Sequence, residues 1–180
     1  MGRTSLAIAC ALATSLAPLV PAGPAVASSA VIAKPDPGTG EVEGSSFVPG
    51  SFPNEEAEVL DLTNQERRKA GCQALRAEDT LHSSALEQSR YMAASQNLSH
   101  EGPGNSQPDD RMEEAGYDTS QGWGENVAYG QDTPDEVMDS WMKSTPHRKN
   151  ILNCDFKALG VGVARAIDGN LYWTQNFGGQ

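Results

Sequence analysis

The sequence predicts an α+β domain in which helices pack on a small antiparallel sheet. Three observations carry that prediction. Helical periodicities bounded by capping residues recur from Asn54 to Leu152. The chain then closes on two alternating segments, Leu159 to Ile167 and Leu171 to Phe177, joined through Asp168-Gly169, a two-residue turn signal. Between helices and hairpin, a Gly-Gly-Ala face (Gly160, Gly162, Ala164) leaves room for another element to come close. Helices around a short sheet make a sandwich.

The ends of the chain read differently from its middle. Residues 1–27 have the pattern of a secretory signal peptide: Arg3, an apolar run from Leu6 to Val20, and Ala25-Val26-Ala27 before Ser28. Pro18, Pro21, Gly23 and Pro24 break the run below the roughly 18 apolar residues that a membrane anchor needs. Cys10 has Ala7 rather than a Leu three residues before it and lies too early for a lipoprotein site. Export without an anchor or membrane span is expected, with a bacterial style of leader. Residues 28–53, rich in Pro, Gly and Ser, read as a flexible linker. Residues 54–180 remain as one domain with its own core, expected as a monomer.

Charge narrows the partners. The chain carries 13 basic and 24 acidic residues. A leader containing Arg3 and no acid would leave 12 against 24, a net charge near −12. Nucleic acid is not expected as a partner, since binding it needs basic patches that release counterions.

In order, Asn54 is an N-cap followed by Glu55 and Glu56. The first helix turns Val59, Leu60, Leu62 and Thr63 inward and ends with Arg67, Arg68 and Lys69 before Gly71. Thr80 caps a second helix with Leu81, Ala85, Ser89, Met92 and Gln96 on one stripe. His82, Leu86 and Ala93 stand beside that stripe, and His82 is expected at the surface or partly buried. His100 stands at the end of this helix, before the loop that Gly102-Pro103-Gly104 forces. A short helix opens at Pro108 and ends at Gly116. Gly122 and Gly124 around Trp123 suggest an irregular strand start that places Glu125 where backbones approach. Pro134 begins a helix with Val137, Met138 and Trp141 inward. Thr145-Pro146 ends it and starts another, with His147 near the new N-terminus. In the last strand Leu171, Trp173, Gln175 and Phe177 share one face. Trp123, Trp141 and Trp173 are all expected in the core.

Cys72 and Cys154 in an exported chain would form one disulfide. Closing roughly 80 residues, it would contribute about 4.5 kcal/mol in the chain-entropy account. Two free buried thiols are the alternative.

The chemistry converges on His100, Glu125 and His147. Two imidazoles and a carboxylate with an open fourth position suit zinc or a similar divalent ion. The same residues could do general acid–base work. In a purely structural alternative Glu125 accepts backbone hydrogen bonds in a tight turn and the histidines brace it. There is no HExxH and no GxSxG. Asn126, Gln175 and Asn176 read as internal hydrogen-bonders. Asn97-Leu98-Ser99 matches a glycosylation tripeptide, which the bacterial leader argues against.

Five ordered segments carry a family resemblance. They are Leu98-Ser99-His100, Asp110-Arg111-Met112 with Ala115-Gly116-Tyr117, Gly124 to Ala128, Trp141 with Pro146 to Leu152, and Tyr172 to Phe177. Together they resemble the motif series of the CAP superfamily, above all its bacterial extracellular SCP-like branch, over roughly residues 55–179. The resemblance implies a three-layer α-β-α sandwich with a small central antiparallel sheet and a His- and Glu-lined cleft. His100 and Glu125 match the family's first His and first Glu. Ser144 and Tyr172 stand where the animal and plant branches have a second Glu and a second His. His147 would take the cleft position instead.

Two readings of different class follow. In the first, the protein is a non-catalytic binding module whose cleft takes a divalent metal such as zinc with a small molecule, lipid or peptide. In the second it is a metal-assisted hydrolase, a peptidase, using His100, Glu125 and His147 on an activated water. The lack of a nucleophile and of a complete ligand motif favours the first.

Overall fold

The computed structural model describes residues 52–180, so the expected leader and all but the last two residues of the expected linker lie outside the described residues. The helices are α1 (Pro53–Lys69), α2 (Asp79–Ser95), α3 (Pro108–Glu114), α4 (Pro134–Lys143) and α5 (Thr145–Ile151). The strands are β1 (Arg76–Ala77), β2 (Trp123–Tyr129), β3 (Ala158–Arg165) and β4 (Leu171–Gly178).

Several boundaries differ from expectation. α1 opens two residues early, with Pro53 in the first turn and Phe52, not Asn54, at the N-cap. Phe52 packs on the core, so the linker ends sooner than residue 53. Thr80 lies inside α2, whose N-cap is Glu78. The break between α4 and α5 falls at Ser144, in extended backbone, and Pro146 is accommodated in the first turn of α5. The α1 terminus behaves as expected: Gly71 has φ +82°, and Cys72 N–H donates to Arg67 O at 2.9 Å.

The sheet runs β1-β3-β4-β2. β3 pairs antiparallel with β4, and β4 with β2. β1, however, lies parallel to β3, with Arg76 opposite Ala158 and Ala77 opposite Leu159. The sheet is therefore mixed, with an antiparallel majority, and two residues are too few to show alternation in sequence. Asn64 holds the approach to β1, accepting from Leu75 N–H at 2.7 Å and donating to Leu75 O at 3.0 Å. β2 is regular, paired with β4 from Trp123↔Gly178 to Tyr129↔Tyr172. The hairpin turn is wider than two residues. Ala166 N–H donates to Asn170 O, and Gly169, at φ +93°, closes on Ala166 O. This leaves Ile167 at the tip, 98% exposed.

The two sheet faces bury different things. Val161, Val163, Leu171, Trp173 and Phe177 meet Val59, Val137, Met138, Trp141 and Ile151 in the main core under α1, α4 and α5. Each such aliphatic or Phe side chain contributes on the order of 2–3 kcal/mol by leaving water. On the other face α2 lies directly on the glycines. A Cβ on Gly160 would stand 2.0 Å from the backbone carbon of Leu81, and one on Gly162 2.4 Å from that of Ala85. Trp141 and Trp173 are core as expected, but Trp123 is 38% exposed, at the end of an edge strand opposite Gly178. The Cys72–Cys154 disulfide is present and ties the end of α1 to the segment after α5.

Candidate functional site

Glu125 is the hub of a buried polar network. It sits in β2 opposite Asn176 of β4, with its side chain 1% exposed. His100 Nδ1 stands 2.8 Å from Glu125 Oε1, and Arg111 Nη2 donates to Oε2 at 2.7 Å. With its amide turned to satisfy both ends, Asn176 adds a donor to Oε2 at 3.1 Å and accepts from Ser84 Oγ and Ala85 N–H. The guanidinium is always charged, so Glu125 accepts at both oxygens and the proton of the His100–Glu125 bond belongs to His100 Nδ1. In a neutral ring that leaves the lone pair on Nε2, and the His100 side chain is 52% exposed.

His147 comes to the same place from α5. It occupies the third helical position after Ser144, half-buried, and its carbonyl accepts from Asn126 Nδ2 at 3.2 Å. Burial pushes its imidazole below the usual histidine value, and the nearby His100 charge pushes it the same way. Asn150, one turn later, donates to Glu125 O at 3.1 Å and to Asn126 Oδ1 at 2.9 Å, locking α5 onto β2. Asn126 continues to Gln175 and Gln175 to Thr63 Oγ1, so a polar chain runs from the site to α1.

The structure brings His100 onto Glu125 and sets the His147 backbone against Asn126, the next residue of β2. It does not arrange the three as direct metal ligands. Among the described residues no group of three His, Cys, Asp or Glu side chains is spaced to hold a metal ion. The physical reason is local: both Glu125 oxygens are occupied, one by a cation.

Sequence reasoning missed three features. Arg111, 1% exposed, is a partner of Glu125, a role its place in a short helix did not announce. Arg67, expected as a cation at the helix terminus, is fully buried and donates to the carbonyls of Gln73, Ile151, Asn153 and Phe156. Its place four residues after Thr63 and eight after Val59, on one face of α1, was the available signal. The third is a second His–carboxylate pair: His82 Nδ1 is 2.7 Å from Val161 O and 3.8 Å from Glu56 Oε2. It borders a cavity of about 220 Å³ between α1, α2 and β3.

Comparison with known proteins agrees with this architecture. The model of the cysteine-rich secretory protein (CAP) family matches residues 60–177. The uncharacterized protein YkwD of Bacillus subtilis is 40% identical over 138 residues, which are 76% of this chain and 51% of YkwD. This chain thus spans about half the length of that relative. The crystal structure of an extracellular SCP-domain protein from Bacillus anthracis superposes with a TM-score of 0.65 at 26% identity, covering 76% of this chain and 45% of that one. NaASP2, crystallised with Zn2+, shares the fold at a TM-score of 0.55 and 14% identity, over 73% of this chain and 82% of its own. The α-β-α layers, the motif order and the family match over residues 60–177 agree, and the chain belongs to the CAP family.

Proposed function

We propose that this domain is an exported binding module whose cleft presents the His100 and His147 imidazoles to a divalent metal such as zinc, together with a small molecule, lipid or peptide. The single observation behind this reading is the engagement of Glu125. Buried and holding His100 Nδ1 at 2.8 Å and Arg111 Nη2 at 2.7 Å, it has both oxygens already engaged by protein donors. It does fit the role of an outer carboxylate that fixes the tautomer and raises the basicity of a ligating histidine. The donor set is then two imidazoles, with remaining positions left to water or ligand. The lowered pKa of His147 keeps its ring neutral, as a ligand must be, further into acid. Support for zinc in particular comes from the Zn2+ crystallised with NaASP2, a protein of the same fold. Export is supported by the disulfide and by the extracellular description of the Bacillus anthracis protein.

The test is zinc calorimetry on the full chain beside His100→Ala, His147→Ala and Glu125→Gln, each checked for folding. Expected is binding lost in both histidine variants and weakened about 10–100-fold in Glu125→Gln. No heat with the unaltered protein would remove the metal and leave lipids and peptides as ligands to screen. Peptide turnover by the zinc-loaded protein would favour the hydrolase reading.

A further inference from the structure

The His100 segment is held by its backbone as firmly as by its ring. Three successive carbonyls are bonded by two buried side chains. Gln88 Nε2 donates to Ser99 O at 2.7 Å and to Glu101 O at 3.3 Å, while Arg111 Nη1 donates to His100 O at 3.1 Å. Gln88 is fully buried and Arg111 is 1% exposed. Arg111 Nη1 also takes Ser106 O at 2.9 Å, and its Nη2 takes Glu125 Oε2. One guanidinium therefore holds His100 twice, through its main chain and through the carboxylate bonded to its ring.

Behind this clamp lie three buried polar atoms without a protein partner: Gln88 Oε1, Ser106 Oγ and Arg111 Nε. They are an acceptor, a hydroxyl and a donor. Gly102 stands among them, and a Cβ there would lie 2.7 Å from Gln88 Oε1, 2.8 Å from Ser106 Oγ and 2.9 Å from Arg111 Nη1.

We propose that Gln88 and Arg111 are positioning residues that set where the His100 imidazole stands and which nitrogen it presents. The inference rests on the reading of His100 as a presenting group. Gln88 touches neither the ring nor Glu125. It acts through the loop alone, by fixing the residues on both sides of His100.

The test reads the ring itself. Long-range 1H–15N NMR of the His100 ring is compared in the unaltered full chain, in Gln88→Met, and in Ser89→Ala. Ser89→Ala removes a buried bond from the same helix to Gly162 O on the sheet side. Expected is a single Nδ1–H tautomer in the unaltered protein and in Ser89→Ala. In Gln88→Met the two ring nitrogen shifts should converge as the Nε2–H form appears. If Gln88→Met loses stability as Ser89→Ala does yet keeps the tautomer, the clamp is only structural and the inference fails. Should Gln88→Met not fold, Gly102→Ala pushes on Gln88 Oε1, Ser106 Oγ and Arg111 Nη1 without deleting any of them. Convergence is expected there too, and an unchanged tautomer overturns the proposal. Zinc titration of the same samples separates the two readings. A clamp-dependent tautomer without zinc binding sinks the metal alone. Zinc binding with a clamp-independent tautomer sinks the clamp alone.

Discussion

Arg111 Nη2 lies 2.7 Å from Glu125 Oε2, and both side chains are 1% exposed. Removing one member of such a pair strands the other charge in a medium that solvates it poorly, a loss of about 3–5 kcal/mol. Arg111→Leu should therefore destabilise the domain by that amount in urea unfolding. Arg111→Leu combined with Glu125→Leu should cost less than the sum of the two single changes, because neither charge is then left alone. Additive losses would show that the pair is not the coupled unit its geometry describes.

His147 supplies the pH dependence. Its folded value lies below 6.5, first through burial and then through the His100 charge. Between the folded value and 6.5 the unfolded chain binds the proton more readily, so this group's contribution is complete above 6.5 and declines as pH falls through the folded value. An NMR titration should place the His147 midpoint below 6.5. In His100→Gln it should rise yet stay below 6.5, since burial, the larger cause, remains. A midpoint at or above 6.5 in the unaltered protein would contradict the burial of this ring.

What was legible in the sequence is what depends on local pattern. Val161 and Val163 alternate with Gly160 and Gly162, and that alone announced a strand with a core face and a face open to a helix. His147 behind Pro146 followed from capping and breaking rules, whereas His100 stands in the loop five residues beyond Ser95, where α2 ends at a left-handed Gln96 rather than near His100 as expected. The features that escaped depend on long-range partners. Arg67 looks like any basic helix end until the carbonyls of Ile151 and Asn153 arrive from 84 and 86 residues away. Arg111 looks like an exposed residue of a short helix until Glu125 closes on it. The partners of Glu125 escaped for the same reason, since spacing names a carboxylate but not what bonds its oxygens.

Arg67 and the disulfide act on one junction. The bond joins residues 82 apart, and the chain-entropy account gives its loss about 4.5 kcal/mol. Arg67 holds the carbonyls of Gln73, next to Cys72, and of Asn153, next to Cys154. Arg67→Met strands four carbonyls and should cost on the order of 3 kcal/mol or more. In a cycle with Cys72→Ala/Cys154→Ala, urea unfolding should show coupling, because each holds the other's anchor in place. Independent losses would mean that the guanidinium braces α5 without serving the bond.

The close approach of α2 to Gly160 gives a further prediction. A methyl on Gly160 would meet the Leu81 carbon at 2.0 Å and the His82 nitrogen at 2.1 Å, both of them backbone atoms of α2. A side chain could rotate away, but a helix pinned by Ser89 to Gly162 O and Thr174 Oγ1 can only be displaced as a body. Gly160→Ala should therefore cost at least the upper end of ordinary overpacking, about 3 kcal/mol. The damage should travel, because α2 carries Gln88 and leads into His100. Thermal unfolding reads the first effect and His100 ring NMR the second. A stable Gly160→Ala protein with its His100 resonances unmoved would mean that α2 and β3 are not in the contact described.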